Sequence, residues 1–431
     1  MAVVPNVDFA VVNATQLLVV GEGSGGPRRG VEQGDIDILA HGALVAREGT
    51  VIDVGTTSEI LGAYDLSRAD VVDAAGKVVM PGLVDAHTHP LFAGLRYEEY
   101  ARRLGGLAMA DASAEGGGIW WTVQQTRAAQ GTLLSTTLEG YLETILSSGT
   151  TTVEAKSGYG QNVESELQQL SLIADAARRT RLRVIPTFLG AHVVPAEHPD
   201  AESYADEIVE VMLPKVEAQG IARFCDTTCN SDFTPTLARR IMQAAARHGL
   251  PCRVHADGDA DTDGWVTAVA AGARSADHLT STPPSKIAEV GASDTVAVLI
   301  PAAELCYFWG KARARDFIRN GVPVAIATDF CSSIHVASLF RLLSFAAPWY
   351  RMTPEEVISA VTVNAAYSLD VLDRCGTLTA GKAADVLVVD VPDYRQMIYD
   401  FGAPLEVVVS GGARVDKEGA AGLGSREMAD G

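Results

Sequence analysis

Between residues 83 and 327 the chain repeats one pattern eight times: a short apolar run, then usually a stretch of helical periodicity. The runs lie at 83–86, 151–155, 184–188, 222–226, 252–254, 273–276, 295–299 and 324–327. Helical patterns separate most of them, for example at 134–147, 163–180, 204–219, 235–248, 259–271 and 311–320. Two more, at 336–346 and 353–369, close the eighth unit. Uninterrupted apolar runs that alternate with helices describe parallel strands buried on both faces. Eight in succession, with no low-complexity linker, predict one α/β domain of the (β/α)8 TIM-barrel type rather than two smaller α/β domains.

In such a barrel, chemistry sits at the C-terminal ends of the strands. The first run ends in Met80-Pro81-Gly82-Leu83-Val84-Asp85-Ala86-His87-Thr88-His89-Pro90. Residues two apart on a strand share a face, so His87 and His89 can present two imidazoles side by side. Two neighbouring histidines can equally be solvated loop residues, and the other exits decide the matter. The second run is followed by Lys156-Ser157-Gly158-Tyr159-Gly160, the third by Gly190-Ala191-His192 and the fifth by His255. The sixth is followed by Asp277-His278 and the eighth by Thr328-Asp329. Five of the nine histidines fall at strand exits, and with Asp329 they form a metal constellation. His41, His198 and His248 read as surface residues.

The expected ligands are His87, His89, His255 and Asp329. Three neutral imidazoles and one carboxylate suit one divalent metal, zinc or iron, and leave a position for water. A metal of this kind lowers the pKa of bound water to about 7, which makes hydroxide available near neutrality. Asp329 can also take the water's proton and pass it to a leaving nitrogen. His278 can polarise the carbonyl under attack. The fourth run leads into Asp226-Thr227-Thr228-Cys229 and offers no lysine to bridge two metals; Lys156 is the alternative bridge.

The stretches HTHPLFAGLRYEEY (87–100), GGGI (116–119), TTVEAKSGYG (151–160), TFLGAHVVP (187–195), HAD (255–257), SADHL (275–279) and ATD (327–329) resemble the imidazolonepropionase branch of the amidohydrolase superfamily. The resemblance covers roughly residues 80 to 390. It implies a metal-dependent hydrolase that opens an imidazolone ring, with His87, His89, His255 and Asp329 at the metal positions and His278 at the catalytic one. It places Arg96, Tyr159 and His192 against substrate. It also implies a composite β-sandwich from residues 1–80 and 375–431 beside a barrel of 81–374, because GTLTAGKAADVLVVD (376–390) resembles the family's return segment. A homodimer is a further implication.

Three departures stand out. The family continues its metal histidine with Ala-Asp-Glu, where this chain has Ala256-Asp257-Gly258, so the acid that works on the substrate ring is missing. Asp259 or Asp261 could replace it. Asn230 follows Cys229 where an acid is usual. The loop after Asp329 reads Phe330-Cys331-Ser332-Ser333-Ile334-His335 instead of Asn-Pro-Gly-Ser, which draws Cys331 and His335 into a more apolar tail pocket. These changes predict a related five-membered cyclic amide as substrate. The alternatives are deamination of an amidine-containing ring, or Lewis-acid cyclisation, dehydration or isomerisation.

Other features narrow the class further. A net charge of −20 argues against nucleic acid or an anionic membrane as partner and leaves a small-molecule substrate. No run reaches the roughly 18 apolar residues of a membrane span, and no basic segment precedes the first apolar one. Six scattered cysteines are expected as reduced thiols in a cytoplasmic protein. Gly116-Gly117-Gly118 lacks the lysine of a phosphate loop and reads as a flexible loop at the site mouth. Trp120-Trp121 either line the pocket or pack beneath that loop, and Cys331 beside His335 is a lesser candidate nucleophile.

Overall fold

A computed structural model describes residues 6–21, 25–107, 111 and 116–416. Among these the chain runs through β1 (Phe9–Leu18), β2 (Ile38–Arg47), β3 (Thr50–Thr56), β4 (Asp70–Asp73) and β5 (Val78–Pro81). Eight middle strands follow: β6 (Leu83–Asp85), β7 (Thr150–Lys156), β8 (Arg183–Ala191), β9 (Phe224–Cys229), β10 (Cys252–Ala256), β11 (Ser275–His278), β12 (Val296–Leu299) and β13 (Val324–Ile326). The chain returns through β14 (Val386–Val389), β15 (Leu405–Ser410) and β16 (Ala413–Arg414).

The middle strands form one sheet in sequence order, β6 to β13, and the neighbours from β8 onward pair in parallel. Just beyond the strand ends the Asp329 N–H donates to the His87 carbonyl at 3.0 Å and the His89 N–H to the Phe330 carbonyl at 2.9 Å. Thr88 and Phe330 thereby form a parallel bridge, and the eight strands make a nearly closed barrel. Four strands reach two or more residues further than their apolar runs suggest, among them β8, which extends to Ala191. β9 extends to Cys229, β10 to Ala256 and β11 to His278, with His255 opposite Asp277 and Ala256 opposite His278. His255 and His278 are thus strand residues rather than loop residues. At this end of the barrel the inward positions are polar, so an apolar run stops before the hydrogen-bonded ladder does.

The chain-end strands form a second sheet in the order β16-β15-β14-β5-β1-β2-β3, with β4 also paired to β1. Alternation along β1 explains its burial. Phe9, Val11, Ala14 and Leu17 join one apolar cluster, whereas Ala10 and Val12 join another with Ala43, Val45 and Ile60. By residue type His41-Gly42 and Glu48-Gly49 both predict turns in a β meander, and Glu48-Gly49 forms one between β2 and β3. Both residues have positive φ, 49° and 75°, which is the two-residue hairpin geometry that matches strand twist. A side chain on Gly49 would sit 2.8 Å from the Gly411 carbonyl. The turn expected at His41-Gly42 is instead a kink inside β2: His41 takes φ 51° and the ladder with β1 shifts register between Val11 and Ala14.

The chain divides into two compact units. One comprises the residues up to 85, 143–152 and those from 338 on; the other comprises 86–142 and 153–337. All of the residues singled out for chemistry lie in the second. Among the described residues no helix is long and apolar enough to cross a membrane. The described region ends at 416, so residues 417–431 of the expected second domain lie outside it.

The turn after β7 is anchored from within. The buried Glu166 carboxylate, in the helix Val163–Ala177, accepts from the N–H groups of Gly158 (3.0 Å), Gly160 (2.8 Å) and Gln161 (2.8 Å). Gly158 has φ 114°, and a side chain there would meet Leu189 at 3.0 Å and His192 Nδ1 at 3.1 Å. Glu166→Ala leaves three buried donors without their acceptor and should cost about 2–5 kcal/mol. Thermal unfolding checks this; an unchanged Tm would mean that the turn is held by something else.

Candidate metal centre

Two carboxylates decide which way the ligand histidines face. Asp277 Oδ2 lies 2.7 Å from His87 Nδ1, and Asp226 Oδ1 lies 3.1 Å from His255 Nδ1. A carboxylate only accepts, so each Nδ1 carries the proton and each Nε2 keeps its lone pair. Both lone pairs face His89 Nε2, at 3.3 Å from His87 and 3.4 Å from His255. A proton on His89 Nε2 could satisfy only one of them. Asp329 Oδ1 completes the group, 3.4 Å from His89 Nε2 and 3.6 Å from His87 Nε2.

These spacings are those of a ligand set. Four ligands about 2.0–2.1 Å from a tetrahedral metal lie roughly 3.3–3.4 Å from one another. Without a cation the same arrangement sets lone pairs and a carboxylate oxygen against each other in a buried space. The donor set therefore fits a divalent metal, and the four residues are those expected from the sequence.

Two more histidines complete the cluster. His192 stacks on His89, with centroids 5.1 Å apart and rings 15° from parallel, while its Nδ1 lies 3.0 Å from the Gly158 carbonyl. One of its ring nitrogens lies within 4.8 Å of donors on His89 and His255. His278 offers a nitrogen within 4.8 Å of donors on His87 and His255. Burial holds His87, His89 and His278 well below the usual imidazole range and pushes His192 down to about 3. The cluster is built for neutral rings. His278 (φ 80°) and Asp329 (φ 53°) both take left-handed backbone, a strained conformation for such residues that concentrates at functional sites.

Lys156 is not free to bridge two metals. Its Nζ lies 2.6 Å from Asp226 Oδ2 and 2.6 Å from Glu154 Oε2. Burial alone would lower the ammonium, but these carboxylates outweigh it and hold Lys156 above its usual range.

Tyr159 is buried, with its ring centroid 5.9 Å from His89 and 5.5 Å from His192. The guanidinium of Arg96 forks onto Glu99, with Nε–Oε2 at 3.1 Å and Nη2–Oε1 at 2.6 Å, while the Arg96 backbone N–H donates to the Ser332 carbonyl. Cys331 is buried beside Ser333, with Sγ–Oγ at 3.4 Å, and burial pushes its thiol up to about 12, which removes it as a nucleophile. His335 stands apart from the histidine cluster; its ring packs on Phe330 (4.9 Å) and Tyr141 (5.4 Å). Gly118 opens the helix Gly118–Ala128 and donates to Glu99 Oε2, while Trp121 lies over Gly94.

Where the resemblance puts an acid, the structure has an indole. A side chain on Gly258 would meet the Trp309 ring at 3.0 Å, and Trp309 also stands edge-on to His278 at 5.6 Å. Asp259 and Asp261 are both exposed, and Asp261 pairs with Lys286 at 2.7 Å. Asp257 is buried and accepts from Thr262, Gly264, Trp265 and Thr282, so it caps the helix Gly264–Ala270. Sequence reasoning missed Trp309, because a lone aromatic in a loop carries no pattern. It also missed Arg253, whose signal was available: a charged residue two before His255 shares its inward face.

Comparison with known proteins was made on this geometry. A model described as "Amidohydrolase family" matches residues 78–415. An imidazolonepropionase of Solibacter usitatus is 42% identical over 401 residues, covering 92% of this chain and 95% of that protein. One of Symbiobacterium thermophilum is 39% identical, covering 92% and 94%. Among solved structures, a zinc-bound adenosine deaminase from Xanthomonas campestris superposes with a TM-score of 0.71 at 17% identity, covering 95% of this chain and 93% of its own. A triazine hydrolase variant does so at 0.72 and 17%, covering 94% of each. These structures share the fold.

The neutral rings give a pH prediction for the metal-free protein. Unfolded, each histidine titrates near 6.5; folded, His87, His89, His192 and His278 titrate lower. Below pH 6.5 the unfolded state then binds more protons, and stability falls by up to about 1.4 kcal/mol per pH unit for each such group. Denaturant titrations at pH 7 and 5 should show the loss. A flat profile would mean that the rings are solvated.

Proposed function

The chain belongs to the amidohydrolase family and to its imidazolonepropionase branch, and we propose that it hydrolyses a C–N bond in a small five-membered cyclic amide of the imidazolone type. The observation that carries this reading is that His87 Nε2, His255 Nε2 and Asp329 Oδ1 all lie 3.3–3.4 Å from His89 Nε2, with Asp329 Oδ1 also 3.6 Å from His87 Nε2. In this reading His87, His89, His255 and Asp329 hold one divalent metal, zinc or iron. Such a cation, when bound, supplies Lewis acidity that activates water and polarises a carbonyl.

The protein groups do the remaining work. Asp329 has a second carboxylate oxygen with which to accept a proton from the attacking water and return it to the leaving ring nitrogen. His278, held neutral, donates a hydrogen bond to the carbonyl oxygen as charge develops on it. His192 and Tyr159 flank the ring, and the free edge of Arg96 receives an acidic tail. Asp329→Asn should lower kcat by about 10²–10⁴, and His278→Ala by about 10²–10³.

The substrate side is where this chain differs. Trp309 crowds residue 258: a Cβ there would stand 3.0 Å from the indole, and the ring beside it is apolar. A Gly258→Glu side chain requires the indole to give way. We expect Gly258→Glu alone to impair turnover, and Gly258→Glu with Trp309→Ala to accept imidazolone-propanoate better than either single variant. Additive effects would mean that the two positions do not share a space.

The direct test is turnover of imidazolone-propanoate by zinc- or iron-loaded protein, with ring absorbance and ammonia followed together and His255→Ala as blank. Metal-dependent ring opening supports the reading in full. Ammonia release with the ring intact makes the protein a deaminase. Neither signal would shift the substrate to a smaller or less acidic ring. The reading carries a cytoplasmic homodimer with it, and sedimentation equilibrium checks the assembly.

A further inference from the structure

Beneath the metal centre lies a chain of five buried charges. From His255 Nδ1 it runs to Asp226 Oδ1 (3.1 Å), and from Asp226 Oδ2 to Lys156 Nζ (2.6 Å). Lys156 Nζ continues to Glu154 Oε2 (2.6 Å), and Glu154 Oε1 to Arg253 Nε (2.9 Å). Arg253 Nη2 continues to Asp277 Oδ2 (3.3 Å), which reaches His87 Nδ1 at 2.7 Å. The arc therefore begins on one ligand histidine and ends on another. Each of the five charged side chains is fully buried.

The arc is built from strand alternation. Glu154 and Lys156 lie two apart on β7, Arg253 and His255 two apart on β10, and Asp226 and Asp277 lie on the strands flanking β10. Two further bonds brace it: Thr187 Oγ1 donates to Glu154 Oε1 at 2.7 Å, and Arg253 Nη2 donates to the Ala86 carbonyl at 2.6 Å, next to His87. Three carboxylates against two cations leave one negative charge. Asp329 adds a second, which matches a divalent cation.

We propose that Lys156 and Arg253 are positioning residues for the metal centre: they tie Asp226 and Asp277, and through them His255 and His87, into one rigid frame. The inference rests on the metal reading above. Neither cation touches a ligand atom. Each fixes the far side of a carboxylate whose near side orients an imidazole, and loss of such support typically costs 10–100-fold in metal affinity. The two ends are linked, since Glu154 is ion-paired with both cations. A disturbance at Lys156 reaches His255 through Asp226, and the chain of ion pairs carries it on to His87 through Glu154, Arg253 and Asp277.

The test uses full-length protein stripped of metal. Zinc affinity is measured by competition with a chromophoric chelator, and the Co²⁺ absorption spectrum reads ligand geometry. Lys156→Met should weaken zinc binding about 10–100-fold and alter the cobalt bands. That variant leaves buried carboxylates unpaired and can fail to fold. Lys156→Met with Glu154→Gln removes one charge of each sign and still cuts the tether on Asp226, so the same loss is expected in a folded protein. Wild-type affinity and an unchanged cobalt spectrum in the double variant, with only a lower Tm, would overturn the proposal and leave Lys156 a purely structural ion pair. Wild-type protein that binds neither zinc nor cobalt is a different result; it removes the metal reading and this inference with it.

Discussion

A charge inside a closed barrel persists only against a partner, because an unpaired buried ion costs far more than a hydrogen bond returns. This constraint governs the C-terminal half of the barrel interior. Glu154, Lys156, Asp226, Arg253 and Asp277 are all fully buried, and each is met by a charge of opposite sign. The Nε2 lone pairs of His87 and His255 and the Oδ1 atom of Asp329 instead face His89 Nε2, at 3.3–3.4 Å. The centre opens where the charge pairing of the barrel gives way to these imidazoles.

The backbone serves that opening. Parallel pairing sets His255 opposite Asp277 and Ala256 opposite His278, so the last rungs of the ladder set the height of two histidines. His278 and Asp329 then leave their strands through left-handed backbone. The turn after β7 is fixed by Glu166 and by the positive φ of Gly158, which brings the Gly158 carbonyl to His192 and leaves Tyr159 buried beside the rings. The precision of the centre comes from strands and anchored turns. Trp309 and the stretch from Cys331 to His335, by contrast, lie on loops.

Much of this was legible in the chain. Eight apolar runs predicted the barrel, and the residues that follow them predicted which imidazoles would gather at its C-terminal end, because strand alternation converts spacing into a shared face. The strand ends were harder to read. β10 and β11 run on through His255 and His278, since hydrogen bonding continues after hydrophobicity stops. His335 looked like a pocket residue from its place after Asp329, yet it packs on Phe330 and Tyr141. Its direction depends on the path of the loop, which local pattern does not encode. The turn expected at His41-Gly42 became a kink for a related reason: pairing with β1 holds both halves of β2 in one strand.

The sequence by itself determined the fold class, which histidines and which aspartate stand at the strand exits, and the loss of an acid at Gly258. Each of these depends on residue type and on spacing along one strand. Only the tertiary structure decided what surrounds them: that Lys156 is locked between Asp226 and Glu154, that Arg253 links Glu154 to Asp277, and that Trp309 fills the room beside Gly258. These partners are separated by tens of residues, and nothing in a linear pattern says which charges meet. Their pairing follows from closure of the barrel, which brings inward-facing residues of different strands into one dry space where each must find a counterpart.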